Sequence, residues 1–356
     1  MVNLKIEIID IQNFMAFDSL EVQFSPHINI IFGENGTGKS ALLKVMYAAL
    51  KSIAEAKNGK NELISEKMES IIIDKLAGVF MPENDSVGRL VSRQQGSSRA
   101  DIKLKLSDEE ELYMGFGNRQ TKHMDFHMNS EIKTDDFVPV FIPPKEIISS
   151  TSNFTSLYDD YHIAIDETYY DLARLLMRPL KKGANTNEQN SVLAKFSEIM
   201  NGSVSQKDNK FYLKVKGAGE FEMGLVSEGY RKLSTMAYLI LSGSLNKNAI
   251  LFWDEPETNM NPKLISHVTE ALIKLSQMGV QIFVSTHSYF VQQSFHLFAE
   301  YQNKGKEKID IQFMSLYREQ EWGHLYCEAS NSLSEITHNA IMEEFDAIYD
   351  REQELI

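Results

Sequence analysis

Residues 28–40 of the chain are Ile28-Asn-Ile-Ile-Phe-Gly-Glu-Asn-Gly-Thr-Gly-Lys-Ser40. The segment begins with a short apolar run, which is typical of a strand buried on both faces of a sheet. From Gly33 onward it matches the pattern G-x-x-x-x-G-K-[ST], and residues 40–55 are strong helix formers. In such a strand, loop and helix, the glycines allow backbone N–H groups to curl around a phosphate at the positive end of the helix dipole. The segment therefore predicts a site for a nucleoside triphosphate.

Two side chains of this loop carry the expected chemistry. Lys39 would reach the β- and γ-phosphates, and the hydroxyl of Ser40 would ligate Mg²⁺. We predict that the phosphates are held by one continuous set of residues, namely Gly33, Glu34, Asn35, Gly36, Thr37, Gly38, Lys39, Ser40 and Ala41.

Composition limits the class of protein. The 356 residues include 36 Lys+Arg and 50 Asp+Glu, a net charge of −14, and 43% are hydrophobic, which is enough to bury a core. A single cysteine, Cys327, excludes a disulfide scaffold and a cysteine-cluster zinc site and fits a reducing cytosol. Apolar runs are shorter than the roughly 18 residues of a membrane-spanning helix, and residues 1–10 do not resemble a signal peptide. We therefore expect a cytoplasmic protein with no membrane contact.

A second motif follows a predicted strand at residues 249–253, where the sequence Ala-Ile-Leu-Phe-Trp runs into Asp254-Glu255-Pro256-Glu257. A carboxylate at the end of a buried strand is costly unless a cation or a hydrogen-bond donor meets it. Asp254 would hold Mg²⁺ directly or through water, and Glu255 would act on the attacking water as a general base. The predicted metal ligands are thus Ser40 and Asp254.

Two further motifs lie at the ends of predicted elements. His287 follows the apolar strand 280–285 and is placed to contact the γ-phosphate. Ser227 and Gly229 lie at the start of a predicted helix over 228–243, where N–H groups and a hydroxyl can bind phosphate. Taken alone, His287 would be an ordinary hydrogen-bonded loop residue and Ser227 a plain helix cap.

In this order the motifs resemble the ATPase core of the ABC superfamily. Residues 33–40 resemble its Walker A loop, 227–230 its signature, 250–255 its Walker B strand with the catalytic glutamate, and 259–262 its D-loop, while His287 resembles the switch histidine. The resemblance is closest to the non-transport branch. That branch includes the structural-maintenance-of-chromosomes (SMC) proteins, RecF-like repair ATPases and the OLD-type ATPases of bacterial phage defence.

The resemblance implies a mechanism for ATP hydrolysis with Mg²⁺. Two copies would pair head to tail, each binding ATP at its own Walker A loop against the signature of the other copy. Ser227 and Gly229 would then contact the γ-phosphate across the interface. The catalytic residues would be Glu255, His287 and Lys39.

The sequence departs from the family pattern at the Q-loop, and it leaves the placement of two aromatic residues open. The Q-loop glutamine is missing from residues 139–146, where Lys145 or Glu146 is the candidate substitute. Phe14 and Phe17 precede the first motif and would either flank the adenine or pack in the core.

Strands alternate with helices along most of the chain, which predicts an α/β fold. With the resemblance, we expect a P-loop NTPase with an ABC-type ATPase head, a mixed sheet core and a helical insert subdomain. Residues 1–149 would form the ATP-binding lobe with the Walker A loop, and 150–210 the helical insert. Residues 211–330 would carry the signature, Walker B and switch histidine, and 331–356 a C-terminal helix and acidic tail.

The predicted function is ATP hydrolysis that gates a partner effector, with bacterial anti-phage defence as the context by resemblance. No sustained heptads lie between Ser40 and Ser227, which argues against the long coiled coil of chromosome-maintenance proteins. The 69 residues after His287 are too few for the nuclease domain of the OLD proteins. An effector such as a nuclease or toxin is therefore expected to be a separate chain.

Several alternatives stay open at this level. A DNA-repair or chromosome-associated clamp would contact DNA through the basic stretch 89–105, which can also be a solvated loop. A transporter ATPase subunit is disfavoured by the missing Q-loop glutamine, and an ATP-locked scaffold would show negligible phosphate release. The acidic C-terminal end is either a solvated helix face or a docking site for a basic partner.

Overall fold

The computed structural model describes residues 3–58, 65–93, 96–129, 137–161, 163–302, 308–320 and 323–355. Its strands are β1 (Ile6–Phe14), β2 (Phe17–Gln23), β3 (Ile28–Gly33), β4 (Arg99–Leu106), β5 (Glu111–Gly117), β6 (Asp125–Met128), β7 (Val138–Ile142), β8 (Gly202–Lys207), β9 (Lys210–Val215), β10 (Gly219–Glu222), β11 (Ala249–Asp254), β12 (Gln281–Thr286), β13 (Ile311–Arg318) and β14 (Leu325–Ser330). Its α-helices are α1 (Lys39–Asn58), α2 (Ser65–Phe80), α3 (Thr151–Tyr161), α4 (Glu167–Leu176), α5 (Asn187–Ile199), α6 (Glu228–Leu241), α7 (Pro262–Gln277), α8 (Tyr289–Leu297) and α9 (Ala340–Leu355). None of these helices in the described ranges is long and apolar enough to cross a lipid bilayer.

A six-stranded sheet in the order β14-β13-β3-β12-β11-β7 carries the motifs. Its neighbouring strands run parallel except for β13 and β14, so the predicted mixed sheet is confirmed. The strands β3, β11 and β12 are buried along their whole length. The register pairs Asp254 with Ser285 and Thr286 with Phe32. Three motifs therefore meet at one edge of the sheet, because each directly follows the carboxyl end of a parallel strand.

Two hydrophobic cores lie on opposite faces of this sheet, because successive side chains of a strand alternate between faces. Ile31 and Phe252 belong to the core shared with α1, α2 and the strands β1, β2 and β4–β6. Ile30 and Leu251 belong to the other core, shared with α4–α8. In the first core Phe252 stacks on Phe283 with ring centroids 5.1 Å apart. This packing fixes α1, and with it the loop that precedes α1, against the sheet.

Two antiparallel sheets complete the architecture, in the orders β2-β1-β4-β5-β6 and β10-β9-β8. The sequence pattern left residues 107–135 unassigned and did not indicate α2. Within that interval β5 and β6 form because each pairs with its neighbour in the first of these sheets. The partners are the strands next to them in sequence, and this pairing supplies the stability that short segments lack by themselves.

The interval predicted as the helical insert, residues 150–210, contains α3, α4 and α5 and then changes to strand. Asn201, with a φ of 47°, ends the helical part, and β8 starts at Gly202. Phe211 and Leu213 of β9 are buried in the second core. Pairing between β8 and β9, rather than local propensity, determines where helix gives way to strand.

Candidate nucleotide-binding site

The loop between β3 and α1 needs its glycines for two different reasons. Gly33, Gly36 and Gly38 have φ values of 145°, 81° and 88°, in the region that favours glycine. A Cβ on Gly33 would lie 2.1 Å from the carbonyl oxygen of Leu316, and one on Gly38 would lie 2.7 Å from the ring of Phe17. A Cβ on Gly36 would meet nothing within 4 Å. The loop is thus packed against the fold on one side and open beside Gly36, where a phosphate has room.

Lys39 is buried within its own loop. Its Nζ donates to the carbonyl oxygens of Gly33 and Glu34, at 2.9 and 2.7 Å. Burial lowers the pKa of Lys39 to about 8, although the carboxylates of Glu255 and Asp254 oppose that shift. Two carbonyls compensate a buried ammonium group only in part, so an arriving phosphate would provide the counter-charge that Lys39 lacks.

The two predicted metal ligands are in contact. Ser40 Oγ donates to Asp254 Oδ1 at 3.0 Å, and the hydroxyl of Ser285 donates to the same oxygen. Burial raises the pKa of Asp254, and both hydroxyls counteract that rise. In the described part of the chain, no group of three or more His, Cys, Asp or Glu side chains could hold a metal ion. One hydroxyl and one carboxylate fit Mg²⁺, which usually takes one or two carboxylates and completes its shell with substrate phosphates and water.

The two predicted catalytic groups also face one another. His287 Nε2 lies 3.5 Å from Glu255 Oε1, and each side chain is about a third exposed, at 33% and 31%. Thr258 donates to the other carboxylate oxygen of Glu255 at 3.1 Å. Burial lowers the pKa of His287, and nearby Lys39 adds to the effect. His287 is therefore a neutral imidazole at pH 7 that can donate one hydrogen bond, beside a carboxylate that water can reach.

Ser227 is the N-cap residue of α6, yet its side chain makes no capping hydrogen bond and is exposed. Beside it, Gly229 is buried, and a Cβ there would lie 3.0 Å from Leu264. Glu228 accepts a hydrogen bond from Asn259 of the predicted D-loop at 3.0 Å. Ser227 therefore does not cap α6 through its side chain, and phosphate binding by its hydroxyl stays a prediction.

A family description, "AAA domain, putative AbiEii toxin, Type IV TA system", matches residues 28–291, most of the chain and every motif described above. The chain belongs to this AAA-domain family. It is a member of the ABC superfamily of ATPases in the non-transport branch.

Relatives of this AAA-domain protein match shorter segments. RecF, the DNA replication and repair protein of Listeria monocytogenes serotype 4b (strain CLIP80459), is 31% identical over 113 residues, which are 32% of this chain and 30% of RecF. The Old nuclease of Escherichia phage P2 is 45% identical over 47 residues, 13% of this chain and 8% of that protein. This chain thus matches about a third or less of each of these relatives.

The fold of this AAA-domain protein is that of an SMC head. The crystal structure of the SmcHead bound to the C-winged helix domain of ScpA superposes with a TM-score of 0.54 at 14% identity, covering 93% of this chain and 98% of that chain. The predicted ABC-type ATPase head is therefore confirmed.

The packing of this AAA-domain protein resolves one sequence-based alternative, and it shows the surroundings of both candidates at the Q-loop position. Phe14 and Phe17 are completely buried, so the core interpretation is right and neither ring can face an adenine. At the Q-loop position, Glu146 accepts from Arg231 Nη1 at 2.7 Å and from Ser149 Oγ at 2.6 Å. Since Arg231 belongs to α6, Glu146 is tied to the signature helix, whereas Lys145 is exposed.

Sequence reasoning assigned no role to Glu257. Its Oε1 accepts from Thr286 Oγ1 and from the backbone N–H of His287, both at 2.8 Å. Its Oε2 is buried without a hydrogen-bond partner, and burial raises the pKa of Glu257. Glu257 thus holds the backbone at the switch histidine. The only signal in the sequence was a third carboxylate in the Asp254–Glu257 run.

Lys232 is a second residue that sequence reasoning did not assign. It lies on the buried face of α6, and its Nζ donates to the carbonyls of Thr258, Pro256 and Glu255 at 2.7, 3.3 and 3.4 Å. Burial lowers the pKa of Lys232 to about 8. Lys232 thereby joins the signature helix to the turn that carries Glu255, the predicted catalytic carboxylate. A lysine in register with the apolar stripe of a helix was the available signal.

We expect Lys232→Met to lower kcat about 10- to 100-fold, because a small displacement of a positioned group is enough for such a loss. Nucleotide affinity should change by less than about threefold, since Lys232 does not contact the phosphate loop. Phosphate release and calorimetric ATP binding measure the two effects, with Lys216→Met at an exposed lysine as control. Equal losses of affinity and of kcat would contradict a positioning role.

Proposed function

We propose that this protein binds ATP with Mg²⁺ and hydrolyses it at the interface of a head-to-tail homodimer, and that the cycle gates a separate effector. The observation that carries the proposal is the convergence of Ser40, Asp254, Glu255 and His287 beside Lys39 at one sheet edge. They come from three separate segments of the chain, 39–40, 254–255 and 287, and each would have a distinct task in phosphoryl transfer.

The residues divide the chemistry as follows. Lys39 and the loop N–H groups bind the β- and γ-phosphates, and Ser40 with Asp254 would hold Mg²⁺. That ion supplies charge neutralisation on the phosphate oxygens. Glu255 orients and deprotonates a water whose oxygen attacks the γ-phosphorus, while the bond from that phosphorus to the bridging oxygen of ADP breaks. His287, neutral at pH 7, donates a hydrogen bond to a γ-phosphate oxygen as its charge changes.

The head-to-tail dimer is supported by the free hydroxyl of Ser227 and by the open side of the loop at Gly36. A serine at a helix N-terminus that caps nothing in its own chain can bind an anion presented by another molecule. Completing the site across two chains makes nucleotide a switch, because ATP then favours the closed pair over separate copies.

We expect Ser227→Arg to prevent ATP-dependent dimers while leaving ATP affinity within about threefold of the parent. The variant is made in the Glu255→Gln background, in which we expect dimers to accumulate. Sedimentation velocity with ATP and Mg²⁺ measures the dimer fraction. Ser156→Arg, at an exposed serine of α3, is the matched control. Persistence of the dimer in the Ser227 variant would remove the proposed interface.

The proposal also includes a biological context, which is bacterial anti-phage defence. It is supported by the family description, which names a toxin of type IV systems, and by the match to the Old nuclease of a phage. Membership of the non-transport branch removes the transporter-subunit alternative. A nuclease or toxin supplied as a separate chain remains the proposed effector.

A DNA clamp is the second candidate, favoured by the match to RecF. The basic stretch 89–105 offers less free charge than its sequence indicates. Arg99 pairs with Asp101 and Asp125, at 2.9 and 2.6 Å, and Arg89 pairs with Glu83 at 2.9 Å. These arginines are neutralised within the chain, which weakens attraction to phosphate.

We therefore expect ATP to change duplex DNA affinity by less than about twofold at 50–200 mM salt. Fluorescence anisotropy with a labelled 30-base-pair duplex measures this, with and without ATP. Arg93→Glu provides the contrast, since Arg93 is exposed. Salt-sensitive DNA binding that requires ATP and is lost in Arg93→Glu would support the DNA clamp instead of effector gating.

A further inference from the structure

The helix α9 carries an apolar stripe that no described part of the chain covers. None of its residues is buried, and every one from Glu343 to Leu355 is exposed. Phe345, Ile348 and Tyr349 are 45%, 51% and 61% exposed. They lie three and four positions apart, so they form one face of the helix.

Among the described residues, the contacts that attach α9 to the body of the protein come from its first turns and from the residue before it. Phe345 packs against Tyr289 with ring centroids 4.2 Å apart, and Asn339 donates to Gln292 at 2.9 Å. Ile348 and Tyr349 lie further along the helix and are more exposed than Phe345. The part of α9 after Phe345 is short, and a short helix that makes few tertiary contacts is only marginally stable in water. A partner that covers the apolar stripe would therefore stabilise this part of the helix.

The opposite face and the flanks of α9 are strongly acidic. Its charged residues are Glu343, Glu344, Asp346, Asp350, Arg351, Glu352 and Glu354. Arg351 is already paired with Glu344 at 2.6 Å. The stripe therefore has an acidic border with hardly any free positive charge.

We propose that this stripe is the docking surface for an amphipathic helix of a partner protein whose apolar face is bordered by Lys and Arg. Apolar area drives the contact, and the charges select its partner and orientation. The same border disfavours pairing of α9 with α9 of a second copy, because two acidic helices would be brought into contact.

The surface lies next to the switch. Tyr289, which packs on Phe345, is the first residue of α8 and follows His287 by two positions. A partner docked on α9 would thus sit on the element that directly follows the switch histidine. This link to gating rests on the proposed function, whereas the docking itself does not.

The test uses the full chain and a fluorescein-labelled 18-residue synthetic peptide with leucines on one helical face and lysines on the other. We expect saturable binding that weakens about tenfold in the double variant Ile348→Ser/Tyr349→Ser, through loss of apolar contact area. Leu180→Ser, at a leucine of similar exposure (55%) elsewhere, is the matched control and should bind like the parent. A peptide of the same composition with its leucines scattered around the helix should bind at least about tenfold more weakly.

Several outcomes would overturn the proposal. They are equal binding by the parent and the double variant, equal binding of the two peptides, and a dimer of the free chain in sedimentation that the double variant abolishes. ATP turnover is measured on the same preparations, and we expect the double variant to keep the parent rate. A parent protein that hydrolyses ATP but does not bind the peptide would contradict the docking surface alone. A parent protein that binds the peptide but does not hydrolyse ATP would contradict the ATPase proposal alone.

Discussion

Replacing Glu255 by glutamine is expected to lower kcat for ATP hydrolysis by about 10²- to 10⁴-fold, the range that a positioned general base contributes. The amide keeps the size of the side chain and can still accept the hydrogen bond from Thr258, but it cannot take a proton from water. The carboxylate is partly exposed beside His287, 3.5 Å away, so a water can reach it. ATP binding should persist, because Lys39, Ser40 and Asp254 are unchanged.

The loss is measured as phosphate release at saturating ATP and Mg²⁺, together with the dimer fraction in sedimentation. The variant should accumulate dimers, since ATP that is not hydrolysed keeps the closed state populated. Glu270→Gln, at an exposed carboxylate of α7, controls for the change of charge. A kcat within about threefold of the parent would remove Glu255 from the catalytic role.

Replacing Lys39 by methionine is expected to weaken ATP binding by about 10- to 100-fold. The ammonium group is the buried cation of the loop, and a charge-assisted hydrogen bond to phosphate contributes about 1.5–3 kcal/mol. Methionine has a similar length and removes the buried charge, so the loop should keep its fold. Calorimetry with ATP and Mg²⁺ measures the affinity, with Lys216→Met as the control.

The pH dependence of ATP affinity is a second test of the role of Lys39. In the free protein the pKa of Lys39 is about 8 because of burial, and bound phosphate would raise it by adding negative charge. ATP affinity should therefore be complete below about pH 8 and fall above it, by up to about tenfold per pH unit. Lys39→Met should lack that fall. An affinity unaffected by the substitution, or the same fall in both proteins, would contradict the assigned role.

Local sequence was sufficient for the parts of the site that lie on one strand and the turn after it. The glycine spacing of residues 33–40 predicted the loop that the structure shows, and Asp254 and Glu255 were recognisable as carboxylates at the end of an apolar strand. The sequence could not decide the environment of a residue that fits both a binding site and the hydrophobic core. Phe14 and Phe17 have the same sequence pattern whether they face a ligand or a core, and only the tertiary structure, in which both rings are buried in the first core, decides between the two.

The residues that sequence reasoning left unassigned act through partners far away in the chain. The sequence does not distinguish Lys232 from the other lysines of the chain. In the structure its Nζ donates to three carbonyls of the turn after β11. Likewise, the sequence assigns no task to Glu257, whereas in the structure its carboxylate accepts a hydrogen bond from the backbone N–H of His287. The sequence of 89–105 also did not indicate that Arg99 pairs with Asp125, which lies in β6, two strands away in the same sheet.

Periodicity, glycine spacing and the order of motifs along the chain were enough to predict the fold class and the conformation of the loop, because backbone conformation and burial of a strand are local properties. Which oxygen meets which donor is a property of the assembled sheet. Ser40 and Asp254 are 214 positions apart, and they touch only because β3, β12 and β11 lie in parallel order and end at the same edge. A long-range contact of this kind depends on strand order, which no single stretch of residues encodes.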